Sequence, residues 1–213
     1  MNKSIISYLL IFVFATKIQA QTNTEKQVNN VFNQLVLAYG NAKSAPQLQI
    51  LNEKMPQKTP AFYSPTNKPV IKVDAHFYKL CQSFGKDSLN ALSIVISHEL
   101  AHYYNDHTFC SDFAFAMRDK NKELEKKKKT VSKNEKMSSE SQADYQGLFY
   151  AAIAGFHPFE VHSKLLDAIY KTYQLAEINA GYPTKTERKE MANSALQKAN
   201  SLYLSFQKGV AYK

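Results

Sequence analysis

Tryptophan is absent, cysteine occurs only twice, and six glycines and seven prolines are spread over 213 residues. That composition excludes collagen-like chains, repeat arrays and a wholly disordered tail. Long hydrophobic runs are also scarce. The longest begins at Ile5 and reaches Ala15, broken by Ser7 and Tyr8, which is too short to cross a bilayer as a helix. What remains is ordinary for a single folded domain: 44% hydrophobic residues, 12% aromatics and 21% charged residues.

The short apolar run follows Lys3 and ends at Thr16 and Lys17, and Ile18-Gln19-Ala20 precedes polar Gln21. A positive start, an apolar middle and a small-residue exit form a secretory signal peptide, so residues 1–20 are expected to be removed near Ala20. The mature domain, 21–213, is then exported to the periplasm or the extracellular space. Cys81 and Cys110 flank the longest apolar helix, and an even cysteine count in an exported chain predicts a disulfide between them.

The formal charge of +9 is concentrated. Between Arg118 and Lys136, Arg118 and eight lysines face Asp119, Glu123, Glu125 and Glu135. With no aromatic residue to stack on bases, this block reads as a solvated connector, with at most a weak contact to an anionic surface. Nucleic acid is not an expected partner.

Helical spacing of Val28, Val31, Phe32, Leu35, Val36 and Ala38 predicts an opening helix from Thr24 to about Ala42, with Gly40 suggesting the stop. Two or three short strands follow, around Leu48 to Ile50, Ala61 to Tyr63 and Val70 to Val73. A helical turn from His76 to Phe84 precedes a long apolar helix capped by Asp87 or Ser88. Three more helices are expected: one from Ser138 or Ser139 to Ala154 with Gly155 as its stop, one from Pro158 to about Ala180, and one from Thr184 or Thr186 to about Gln207. The fold class is α+β, mostly helical with a small amino-terminal sheet.

The long apolar helix contains His98-Glu99-Leu100-Ala101-His102. Four-residue spacing places both imidazoles on one helical face, where their ring nitrogens can bind one zinc ion per chain. Glu99 stands beside them as a base for a metal-activated water. A third ligand is needed. The metzincin spacing fails, because Asn105 and Thr108 hold the positions of its Gly and His, and His107 falls one residue early. Glu140 and Asp144 share a helical face further on: Glu140 is the expected ligand, with Asp144 accepting the remaining N–H of a ligand histidine. The small residues from Gly147 to Ala154 would let two helices approach closely.

HELAH followed by Glu-x-x-Ala-Asp resembles the gluzincin peptidases typified by the CAAX prenyl protease and its bacterial heat-shock and periplasmic relatives. The resemblance covers roughly Leu89 to Ala154. It implies a zincin-like domain with His98, His102 and Glu140 on the metal, Glu99 as general base and Asp144 supporting a ligand. A weaker likeness at Tyr182-Pro183-Thr184-Lys185-Thr186-Glu187-Arg188 implies that Arg188 and Tyr182 hold the substrate or its oxyanion, although Tyr182 stands where the family has His. The expected activity is cleavage of exposed or unfolded polypeptide, which could add to the sheet edge beside the zinc helix. The alternative is a non-catalytic, zinc-stabilised cell-envelope binding or chaperone-like protein, and a third reading is an adaptor acting through the lysine-rich block.

Overall fold

The computed structural model describes residues 25–40, 42–51, 59–107, 111–112, 133–178 and 182–211. The expected signal peptide, Cys110 and nearly all of the basic block lie outside them.

Helix α1, residues 25–39, ends where Gly40 takes a positive φ of 84° and its N–H reaches the Val36 carbonyl. Its buried face is Val28, Val31, Phe32 and Leu35. Three strands follow: β1 (Gln47–Leu51), β2 (Ala61–Ser64) and β3 (Val70–Asp74). β3 is central, parallel to β1 and antiparallel to β2. Its alternation turns Ile71 and Val73 inward, and full burial of each such side chain contributes roughly 1.5–3 kcal/mol. Asp74 ends the strand and caps α2 (Ala75–Gln82): Oδ1 accepts the His76 N–H, while Oδ2 accepts the Tyr173 hydroxyl at 3.0 Å. Cys81 on α2 is a free, fully buried thiol, and its expected partner Cys110 is outside the described residues.

A single 3₁₀ turn leads into α3 (Ser88–Tyr104), buried continuously from Ala91 to Tyr103. A helix apolar on every side must be surrounded, and α3 is the axis of the domain. The sheet, α2, α4 (Lys133–Ile153) and α5 (Pro158–Tyr173) all pack against it, and α6 (Lys185–Ala211) lies on α4 and α5. Among the described residues no helix is long and apolar enough to cross a membrane.

Four expectations need correction. A fourth strand, β4 (Ser111–Asp112), joins the outer edge of β2, so the sheet order is β1-β3-β2-β4 and the sheet is not purely amino-terminal. α4 starts at Lys133, a turn or more before Ser138, because lysine and glutamate are good helix formers and no breaker precedes the serines. α5 stops at Tyr173, where Gln174 adopts a left-handed conformation and Leu175 N–H bonds the Tyr170 carbonyl. α6 continues to Ala211. Its start is settled at Thr184 by a reciprocal pair: Thr184 N–H donates to Glu187 Oε2 at 2.6 Å and Glu187 N–H to Thr184 Oγ1 at 3.2 Å.

Candidate metal centre

His98 and His102 project from one face of α3 with their Nε2 atoms 3.1 Å apart. α4 crosses this face, and Glu140 brings Oε2 to 3.4 Å from His98 Nε2 and Oε1 to 3.7 Å from His102 Nε2. Three side chains from two helices thus meet at full burial, each offering one ligand atom within 4.8 Å of the others, and they could hold a metal ion. Glu140 is fully buried, and the polar neighbours of its two oxygens include both imidazoles and, at 3.8 Å, Arg188 Nη2. Neutral imidazole nitrogens and a carboxylate are a donor set that suits a divalent cation.

The close crossing depends on Gly147. A Cβ at that position would lie 2.8 Å from the His98 nitrogen and 2.9 Å from its Cα, both backbone atoms. Bare glycine therefore lets α4 approach near enough for Glu140 to meet the histidines.

Each ligand candidate has a supporting partner. Asp144, one turn after Glu140, places Oδ1 2.9 Å from His98 Nδ1. The same oxygen accepts Arg188 Nη1 at 2.7 Å, and Arg188 Nη2 is 3.8 Å from Glu140 Oε2. On the other side His102 Nδ1 is 2.7 Å from His107 Nδ1, and His107 Nε2 faces Gln142 Oε1 at 3.3 Å. Glu99 is fully buried and acts electrostatically on His98.

Electrostatics separate the two histidines. Burial alone would depress His98, but Asp144 and Glu140 outweigh it and raise the imidazole pKa to about 9. For His102 burial wins over the pull of Glu140 and lowers the pKa to about 4. Burial would raise Glu140, yet His102 and His98 hold its carboxyl well below the usual carboxylate range. The guanidinium of Arg188 loses solvation, which Asp144 and Glu140 more than offset, so its pKa is raised. His162 of α5, also buried near this group, is lowered to about 4 by burial, with Asp144 opposing and Arg188 and Lys189 reinforcing.

Apart from the two cysteines, the site residues expected from the sequence lie in or beside one cluster, in different capacities. His98, His102, Glu140 and Asp144 meet as expected. Arg188 is 2% exposed, with its guanidinium on two carboxylates instead of an open cleft. Tyr182 is buried and electrostatically close to Arg188. His107, considered for its spacing as a ligand, sits behind His102. The histidine pairing had no signal beyond that near-miss, and His162 had none. No family model, curated protein or solved structure matches the chain.

Proposed function

We propose that the protein is an exported zinc-dependent endopeptidase of the gluzincin type, acting on exposed or unfolded polypeptide. The observation that carries this reading is the donor spacing. Tetrahedral zinc with bonds of 2.0–2.1 Å holds its ligand atoms about 3.3 Å apart. The closest approaches between the three side chains are 3.1, 3.4 and 3.7 Å, the last two to different oxygens of the Glu140 carboxylate, and one ligand atom from each residue lies within 4.8 Å of the others. Charge supports a divalent ion as well. With His98 neutral, as a metal ligand must be, Glu99, Glu140 and Asp144 set three formal negative charges against one from Arg188, all buried, and net buried charge is costly. A cation of charge two balances the described cluster.

When bound, zinc supplies Lewis acidity, polarising a peptide carbonyl and bringing the pKa of a bound water to roughly 7. The chain supplies the rest. Glu99, next to His98 on α3, accepts a proton from the attacking water and can return it to the leaving amine. Asp144 orients His98, and Arg188 holds both Asp144 and Glu140 in place. Tyr182 remains the donor for the developing oxyanion, in the position where the resembling family carries His.

Burial favours a second reading. His98 is 1% exposed and Glu99, His102 and Glu140 are 0% exposed, as in a closed structural site. The non-catalytic, zinc-stabilised envelope protein then stands as the rival, although structural zinc usually has four protein ligands. Zinc content and cleavage of reduced casein by wild type, Glu99→Gln and Glu140→Ala separate the two. Peptidase chemistry requires Glu99→Gln to keep zinc and lose cleavage, and Glu140→Ala to lose both. A zinc-loaded wild type that cuts no unfolded substrate, yet melts higher than its metal-free form, selects the rival.

A further inference from the structure

The carboxyl end of α3 is built as a device for returning one side chain to the site. Asn105 closes the helix and Asp106 takes a left-handed φ of 55°. The Asp106 N–H then bonds the Tyr103 carbonyl at 3.2 Å and the His107 N–H bonds the His102 carbonyl at 3.0 Å. This is the paired-bond helix stop usually made with glycine, here made with aspartate, the next most tolerant class of residue for that conformation. Its result is that His107 folds back beneath His102 instead of continuing away from the site.

The two rings then face each other through Nδ1 atoms 2.7 Å apart, a distance that requires one proton between them. Two arrangements satisfy it. If His107 donates, His102 carries its own proton on Nε2, which points at His98 and Glu140 and cannot bind a metal. If His102 donates, its Nε2 lone pair is free for the metal and the proton of neutral His107 sits on Nε2. Gln142 discriminates, since it offers its carbonyl oxygen to His107 Nε2 at 3.3 Å and so calls for an N–H there.

We propose that His107 is a positioning residue: its Nδ1 accepts the His102 Nδ1–H, fixes the ligand-competent tautomer and aims His102 Nε2 at the metal, with Gln142 holding His107 in turn. This rests on the metal-centre reading above and adds a neutral partner for His102 opposite the charged Asp144–Arg188 partner of His98. A histidine with a hydrogen-bonded rear nitrogen is a more basic and better oriented ligand, and losing such a partner typically weakens metal affinity 10–100-fold.

The test uses the mature chain with His107→Phe, His107→Asn and Asp106→Val. Asparagine places its side-chain oxygen near where Nδ1 of histidine stands, whereas phenylalanine keeps the ring and removes the acceptor. Long-range ¹H–¹⁵N spectra of the metal-free protein should show His102 protonated at Nδ1 in wild type and in His107→Asn, and tautomer exchange in His107→Phe. Zinc affinity by competition with a chromophoric chelator should fall 10–100-fold in His107→Phe and in Asp106→Val, whose β-branched side chain opposes the turn, and stay within about threefold in His107→Asn. A His102 proton found on Nε2, or unchanged spectra and affinity in His107→Phe, overturns the proposal. So does a changed visible spectrum of the cobalt-substituted protein with no rescue by His107→Asn, which would make His107 a ligand itself. If wild type takes up no zinc, the metal-centre reading fails separately and the metal-free spectra still decide the tautomer.

Discussion

Gly147→Ala tests how the two arms of the cluster are held together. The added Cβ would stand 2.8 Å from His98 N, 2.9 Å from its Cα and 3.2 Å from the Ser97 carbonyl carbon, where ordinary contact begins near 3.4 Å. All three are backbone atoms of a helix packed on every side, so no rotamer change relieves the overlap. α4 must move by about 0.6 Å or more. Overpacking costs about 1–3 kcal/mol, and the upper part of that range applies to rigid neighbours. Alanine recovers about 1 kcal/mol of helix propensity, so the net loss is about 1–2 kcal/mol. For a domain of this size that lowers Tm by about 2–8 °C. The displacement also reaches the donors: Glu140 lies two turns back on the same helix, about 10 Å away, and metal sites tolerate only about 0.2 Å of error in ligand distance. Zinc affinity should therefore fall at least about tenfold. Calorimetric melting of the metal-free protein and chelator competition measure the two effects separately. If Gly147→Ala melts at or above wild type and binds zinc equally well, propensity has won and the close crossing is not what sets the site.

Metal uptake should release protons. His98, with a pKa raised to about 9, is protonated in the metal-free protein at neutral pH and must lose that proton before Nε2 can bind. About one proton should leave per metal between pH 5 and 8, with Kd rising about tenfold per unit of falling pH, and more steeply below about 4 as His102 also charges. Titration calorimetry in buffers of different ionisation enthalpy reads this directly, and zero release would contradict a charged His98. Arg188→Ala leaves charged His98 as the remaining cation beside buried Asp144 and Glu140, so urea unfolding of the metal-free protein should show a loss below the about 3–5 kcal/mol of a fully unpaired buried charge, where a loss under about 1 kcal/mol would remove the Arg188 ion pairs from the account. Tyr182→Phe should keep zinc and lower turnover by on the order of a hundredfold, and normal turnover would leave Tyr182 a packing residue only.

The parts of the fold that were legible are those where local chemistry and tertiary need agree. Gly40 and Gly155 stop their helices, Pro158 opens α5, and the alternating β-branched run at Val70 to Val73 becomes the central strand. The errors fall where nothing local marks the boundary. β4 is two residues long and exists only because β2 offers an edge, so no periodicity could announce it. Gln174 ends α5 in a left-handed conformation that glutamine does not advertise, and the run from Lys133 to Ser138 has no residue that forbids a helix.

The site divides along the same line. Spacing of four residues within one helix dictates geometry almost by itself, so His98 and His102 could be paired on paper, and Glu140 with Asp144 likewise. What spacing cannot express is which partner a long side chain chooses after folding. Arg188 is 44 residues from Asp144 in sequence, and its burial against that carboxylate follows from α6 packing on α4. Resemblance placed it near the chemistry; desolvation decides what it does there, because a guanidinium sealed from water must spend its donors on the nearest anions. His107 illustrates the opposite case. It is only five residues from His102, yet continued helical geometry would have carried it round to another face, and its actual place depends on one aspartate accepting a positive φ. A turn of that kind is written in the preference of Asn105 and Asp106 for helix ends, a weak signal that acquires meaning only once a buried imidazole needs a partner behind it.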